Sequence, residues 1–270
     1  MRAAIIGFGN MGQMYADLIS SQGWELIGVH DIDSTKVKSD NVFRDRLDLI
    51  SHPQVDVVII STPHRQHLPV LKECLKYGKH VILEKPMGGS AAEAEKIYKK
   101  IQKHKNRSIV VVNITHCFYD NIQIAKEKLN NSLVDSITAI YDTVVFPIKE
   151  EERDGWLFKK EIVGHGVMLT NGCHLLARIL HLFSDYRPKL EVTAGVFANT
   201  NRLGNIEDSS AHMRLDLVLS NQRRLPVSIF VNWPMAKSMD EAIKESMEIH
   251  TSQGILHVQA WEKFSFTQIL

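Results

Sequence analysis

Cysteine is scarce in this chain: Cys74, Cys117 and Cys173 are odd in number and far apart. No disulfide framework can be drawn from them, and a reducing intracellular compartment is expected. Long apolar runs are missing as well, since nothing approaches the roughly 18 consecutive apolar residues that a membrane-spanning helix needs. The opening stretch Arg2-Ala3-Ala4-Ile5-Ile6 is too short for a secretory signal and runs directly into glycines, then Gln13 and Asp17. Neither sign of charge is in excess. Lys plus Arg is 32 against 31 for Asp plus Glu, so nucleic acid and an anionic membrane surface are excluded as expected partners. Metal-ligand spacing is lacking too: His64-x-x-His67, His116-Cys117 and Cys173-His174 do not form the paired pattern of a zinc site. There is no internal repeat and no low-complexity linker. A soluble cytoplasmic protein is expected. At about 150 residues per domain, 270 residues make roughly two domains, and 44% hydrophobic residues can fill two cores.

The first half alternates strands with helices. Ala3 to Ile6, Glu25 to His30, Val57 to Ser61, His80 to Leu83 and Ile109 to Ile114 read as strands. Several are apolar on consecutive positions, as when helices cover both faces of a parallel sheet. Met11, Met14, Tyr15, Leu18 and Ile19 line one face of a helix. Leu68, Leu71, Cys74 and Leu75 line a second, and Gly78 is a stop signal after it. Ser90 with Glu93 forms a capping box for a third, with Ala94, Ile97, Tyr98 and Ile101 on its apolar face. Strand then helix, repeated, predicts an α/β fold with an N-terminal Rossmann doubly wound parallel sheet over residues 1–117.

Residues 118–270 read differently. A helix over Asn121 to Leu129 and a strand over Ser136 to Phe146 precede a charged loop, then a long helix from Val167 to Phe183. Strand-like runs follow at Leu190 to Ala198, Ser210 to Ser220, Leu225 to Trp233, Met247 to Thr251 and Ile255 to Ala260. Strands grouped after a helix predict a C-terminal α+β domain with an open, mostly antiparallel sheet. Such a sheet needs cover on its far face, so a homo-oligomer, dimer or tetramer, is expected through it. Trp156, Trp233 and Trp261 could line a sugar cleft or cover the sheet.

Gly7-Phe8-Gly9-Asn10-Met11-Gly12 follows the first strand directly and opens the first helix. In that setting the first glycine permits a tight turn, the second lets a pyrophosphate approach the backbone, and the third lets helix and strand pack closely. Free N–H groups at the helix start complete an anion site. Asp31 ends the second strand, where a carboxylate would accept hydrogen bonds from ribose hydroxyls. A carboxylate there disfavours the extra phosphate of NADP, so NAD is expected; Lys36 and Lys38 leave NADP open.

Two further segments carry a resemblance. Ser61-Thr62-Pro63-His64-Arg65-Gln66-His67 follows the third strand, and Gly78-Lys79-His80-Val81-Ile82-Leu83-Glu84-Lys85-Pro86 leads into the capped helix. With the glycine loop they resemble the glucose–fructose oxidoreductase / inositol dehydrogenase / rhizopine catabolism (Gfo/Idh/MocA) family, whose most specific mark is the Glu-Lys-Pro element. Gly164-His165-Gly166-Val167-Met168-Leu169-Thr170-Asn171-Gly172-Cys173-His174 and Ile206-Glu207-Asp208-Ser209-Ser210-Ala211 are similar to segments of its second domain.

The resemblance implies an NAD(P)-dependent dehydrogenase or reductase acting on CH–OH groups of a sugar, cyclitol or nucleotide sugar. It maps the family's active-site lysine onto Lys85 and its histidine onto His174. It aligns Thr62, Pro63, His64, His67 and Glu84 with the nicotinamide half of the cofactor site. The chain departs from the family in having Thr170 where aspartate is common, Cys117 where arginine or a similar residue is common, and in stopping early at Leu270. A non-catalytic NAD- or sugar-binding regulator, and a reductase of a non-sugar ligand, are the alternatives.

Oxidising a carbinol needs a base for the hydroxyl proton, and histidine titrates near operating pH. Lys85 would stabilise developing alkoxide on the same oxygen. Thr170 can hydrogen-bond but supplies no charge to raise the basicity of His174, so slow oxidation or a reductive preference is expected.

Overall fold

The computed structural model describes residues 1–33, 35, 37, 41–129, 135, 137–236, 244–259 and 264–268. Lys36, Lys38 and Trp261 lie outside them. The chain divides into two compact units, Met1–Asn113 with Ile162–Gly164, and Ile114–Glu161 with His165–Leu270.

The first unit is built on β1 (Arg2–Ile6), α1 (Asn10–Ser21), β2 (Glu25–His30), α2 (Arg46–Ser51), β3 (Val57–Ile60), α3 (His67–Lys76), β4 (His80–Glu84), α4 (Ala91–His104) and β5 (Val110–Asn113). The strands form one parallel sheet in the order β2-β1-β3-β4-β5, so the winding reverses direction at β1. Ala4, Ile6, Val58 and Ile60 pack toward Leu71, Leu75 and Ile97 on one face. Ala3, Ile5, Val57 and Ile59 pack toward Tyr15 and Ile19 on the other. This two-sided burial explains why β3 is apolar at every position. α2 escapes a reading by periodicity because it is only six residues long; the Asp45 side chain caps it by accepting from the Leu47 N–H.

In the second unit, α5 (Asp120–Lys128), β6 (Ile137–Val145) and the two-residue β7 (Ile148–Lys149) lead to α6 (Lys160–Val163), whose last residues belong to the first unit. Then follow α7 (Cys173–Leu182), β8 (Lys189–Ala198), β9 (Ser210–Val218), β10 (Arg224–Asn232), β11 (Met235–Ala236), β12 (Lys244–Thr251), β13 (Gly254–Gln259) and β14 (Phe264–Gln268). Seven strands form a mixed sheet, β14-β13-β12-β6-β10-β9-β8, in which β6 and β10 run parallel and every other pair antiparallel. β7 and β11 pair separately.

The helix expected from Val167 to Phe183 is not uniform. Its first turn, Met168–Gly172, is a π-helix, and regular α-helix starts only at Cys173. Gly172 lies under the Met168 side chain, so a Cβ there would fall 2.6 Å from the Met168 sulfur. The four-residue spacing of Thr170 and His174 therefore spans a π-to-α junction rather than one regular face.

Candidate active site

The glycine turn of the first unit starts at Gly7, whose φ of +93° is open to glycine at little cost. A side chain there would also strike the carbonyl of Ser61. The turn delivers Phe8 and Gly9 to the N-terminus of α1, which has no side-chain cap, so its first N–H groups and dipole end remain available to an anion. Asn10 and Met11 form the first helical turn, and Gly12 lies against the Gly7 carbonyl.

Asp31 ends β2 beside this loop. Its Oδ2 accepts the Phe8 N–H at 2.6 Å and its Oδ1 accepts the Asp33 N–H at 2.9 Å. The carboxylate thus braces the loop.

Beyond β3, Thr62 and Pro63 form the turn that starts the His64–Gln66 segment. The Thr62 hydroxyl is buried without a hydrogen-bond partner among the described residues. His64 is buried, with Nδ1 3.1 Å from the Val163 carbonyl; burial, aided by the neighbouring His67 and Lys85, lowers it to about 4. His67 is fully buried and its two ring nitrogens face the carbonyls of Thr62, at 2.9 Å, and Pro86, at 3.0 Å. Its burial pushes it below the usual histidine value, against the pull of those carbonyls. This ring ties the Thr62 turn to the segment after β4.

That segment carries Glu84-Lys85-Pro86, with a cis Lys85–Pro86 peptide. The Glu84 carboxylate is buried and accepts from the Tyr15 hydroxyl at 2.5 Å and from the Asn113 amide at 3.0 Å, while its second oxygen accepts the Lys85 N–H. α1, β4 and β5 are thereby cross-tied directly beneath Lys85. The sequence marked Glu84 for the cofactor; the structure engages its side chain with Tyr15 and Asn113, neither of which was assigned a site role.

In the second unit His174 is buried in the first α-helical turn of α7. The buried Thr170 hydroxyl donates to the Gly166 carbonyl at 3.0 Å. The glycine pair ahead of them has a steric cause, because a Cβ on Gly164 would stand 1.7 Å from the Gly89 carbonyl oxygen, within the first unit. Asp208 fastens the helix start by accepting the Met168 N–H at 2.8 Å.

Around His174 the second unit buries a group of charges that sequence reasoning missed. Arg178 is 1% exposed and pairs with Asp142 on β6 and Glu245 on β12. Burial raises Asp142 to about 7 against the pull of Arg178. Burial also works to raise Glu245, but His116 and Arg178 outweigh it and hold that carboxylate below its usual value. One signal was present: Arg178 follows His174 by four residues and so shares its helix face. Trp233 is a core residue, with its indole N–H on Asn171 at 3.0 Å, whereas Trp156 is half exposed. All three cysteines are free thiols. Among the described residues no cluster of three or more histidine, cysteine or carboxylate groups could hold a metal, and no helix is long and apolar enough to cross a membrane.

A glycine turn feeding a helix N-terminus, with an acid ending β2 and the sheet winding reversed at β1, defines a dinucleotide-binding domain of the doubly wound class. Residues 1–113 match the model of the Gfo/Idh/MocA oxidoreductase family, NAD-binding Rossmann fold, the family that the motifs resemble. An inositol 2-dehydrogenase of Rubrobacter xylanophilus is 36% identical over 101 residues, covering 34% of this chain and 29% of that protein. The NADP(+)-dependent scyllo-inositol 2-dehydrogenase IolW of Bacillus subtilis is 26% identical over 224 residues, covering 80% of this chain and 60% of that protein. This chain therefore spans less than two thirds of the length of either relative. Among solved structures, the WlbA dehydrogenase of Chromobacterium violaceum, in complex with NADH and UDP-GlcNAcA, is similar with a TM-score of 0.82 at 19% identity, over 100% of this chain and 78% of that one. At that identity the likeness establishes the fold.

Proposed function

We propose that the chain is an NAD-dependent oxidoreductase of CH–OH groups whose substrate is a cyclitol, sugar or nucleotide sugar. The observation that carries this reading is the cradle at the start of α1. Gly7 and Gly12 close the turn with no room for a side chain, while Gly9 has open space beside it and uncapped N–H groups follow. NAD, when bound, supplies the hydride acceptor. Gly9 and the first turn of α1 hold its pyrophosphate, and Asp31 takes the ribose hydroxyls on the lone pairs left by Phe8 and Asp33. The buried, unpartnered Thr62 hydroxyl offers a further polar contact to the cofactor. Lys85 donates to the reacting oxygen and steadies its developing charge; His174 accepts the hydroxyl proton. His67 holds the backbone just after Lys85 against the Thr62 turn, and His64 faces the Val163 carbonyl. The inositol and nucleotide-sugar relatives support a polyhydroxylated substrate.

The purified protein is incubated with NAD or NADP and a panel of polyols, cyclitols, sugars and nucleotide sugars, and reduced nicotinamide is read by absorbance. Turnover that falls by about 100-fold or more in Lys85→Ala and His174→Ala is expected, the usual scale of a lost acid–base group. Cofactor binding without turnover of any panel member would favour a regulatory NAD-binding protein instead.

The same reading includes a homo-oligomer formed through the second sheet. Its outward face exposes Val196 on β8, Phe230 on β10 and Tyr141 on β6 among polar residues such as His212 and Ser228, and a second copy of this chain is the occupant proposed for it. Val196→Glu should shift the species seen by light scattering toward the monomer.

A further inference from the structure

Thr170 leaves the proposed base without the adjacent carboxylate that its position in the family commonly supplies. The second unit brings a carboxylate toward His174 from another direction. His116 sits in the Thr115–Phe118 turn, whose backbone is pinned where Gln123 Nε2 donates to the Cys117 carbonyl at 2.6 Å. Its ring lies flat on that of His174, with centroids 3.8 Å apart and planes 17° from parallel, and Tyr119 also stacks on it at 5.1 Å. Its Nδ1 is 2.9 Å from Glu245 Oε1, an ion-pair contact rather than an in-line hydrogen bond. Behind Glu245, Arg178 joins it to Asp142. Two buried carboxylates share one guanidinium, an arrangement costly to desolvate and unnecessary for packing alone. His116, 13% exposed at its side chain, is the titratable ring where this charge group meets His174.

We infer that His116, anchored by Glu245, is the positioning residue for His174: it fixes the plane of that ring and, stacked against it, disfavours a second proton on the pair. The inference rests on the reading of His174 as the acid–base group. Two stacked imidazoles do not readily hold a proton each, because like charges disfavour one another. The other groups around the pair do not compete for this role. Burial raises the Cys117 thiol and the Tyr119 phenol, so both stay neutral. The Cys173 thiol is turned to the Thr170 carbonyl, and Arg178 is committed to its two carboxylates.

The test follows the histidine Cε1–H signals of the full chain by NMR across pH, in the parent, His116→Asn and Glu245→Gln, with His174→Gln assigning the His174 signal. His116→Asn should raise the His174 midpoint by about one pH unit, because a competing imidazole stacked on it is removed. Glu245→Gln should loosen the His116 ring and broaden its signal, since its 2.9 Å ion-pair partner is removed. If Glu245→Gln does not fold, His116→Gln takes its place and should repeat the His174 shift. With NAD and whichever panel polyol is turned over, His116→Asn should cut kcat about tenfold at nearly constant KM, less than the loss of a base itself, and displace the acidic limb of the pH profile. A His174 midpoint that stays put when His116 is replaced overturns the inference. A shifted midpoint in a protein that turns over no substrate supports the coupling and overturns only the functional reading.

Discussion

A methyl group added at Gly12 would stand 2.2 Å from the Gly7 carbonyl oxygen, whereas one added at Gly9 meets nothing within 4 Å. Two glycines of one loop should therefore fail differently. Gly12→Ala is expected to cost about 2 kcal/mol in urea unfolding through overpacking, and NAD binding with it. Gly9→Ala changes an N-cap residue with ordinary backbone angles and should cost no more than about 1 kcal/mol. It should nevertheless weaken NAD binding about tenfold, or 1.4 kcal/mol, because the added methyl occupies the pyrophosphate's approach. Calorimetric titration separates the two, and unimpaired NAD binding by Gly9→Ala would remove Gly9 from that path. The loop and Asp31 were legible in the sequence because turn chemistry is local. That Asp31 also braces the Phe8 N–H was not, since the two residues meet only when β1 and β2 pair.

At the scale of elements, the buried contact of Tyr15, Glu84 and Asn113 joins α1 to the ends of β4 and β5. Burial, reinforced by Glu84, lifts the Tyr15 hydroxyl far above the usual tyrosine range, so it remains a donor at every working pH. Tyr15→Phe keeps the ring and leaves a buried carboxylate short of one donor. A loss of about 1–2 kcal/mol in urea unfolding is expected, and a change under about 0.5 kcal/mol would show that Asn113 suffices alone. The strands and helices of the first unit were readable because their apolar periodicity is strong. The second unit's helix was only partly so, as the π-turn at Met168–Gly172, where the Met168 side chain lies against Gly172, is not encoded by any periodicity.

For the molecule as a whole, two buried groups, one in each unit, should respond oppositely to pH. His64, in the first, is lowered from 6.5 to about 4, so its contribution is complete above pH 6.5 and is lost as pH falls through 4. At pH 5 that amounts to about 2 kcal/mol, which His64→Asn should largely abolish. Asp142, in the second, is raised from 3.8 to about 7, so its contribution is complete below 3.8 and is lost as pH rises through 7. Asp142→Asn should flatten that slope in unfolding curves taken at several pH values; an unchanged slope would locate the titration elsewhere. Arg178→Met leaves Asp142 without its partner and Glu245 with His116 alone, and should cost about 3–5 kcal/mol at neutral pH.

The amino-acid sequence alone determined the doubly wound sheet, the glycine cradle, the acid ending β2 and the Glu84-Lys85-Pro86 element. Each rests on spacing within one turn, strand or helix. Only the tertiary structure decided which charges meet beside His174, because Arg178 and Glu245 lie 67 residues apart and Arg178 and Asp142 lie 36 apart. A lone arginine in a helix or glutamate in a strand reads as a solvated surface residue. What removes each from water is the pairing of β6 with β12 and the packing of α7 against β6, which bring partners of opposite sign together in the interior.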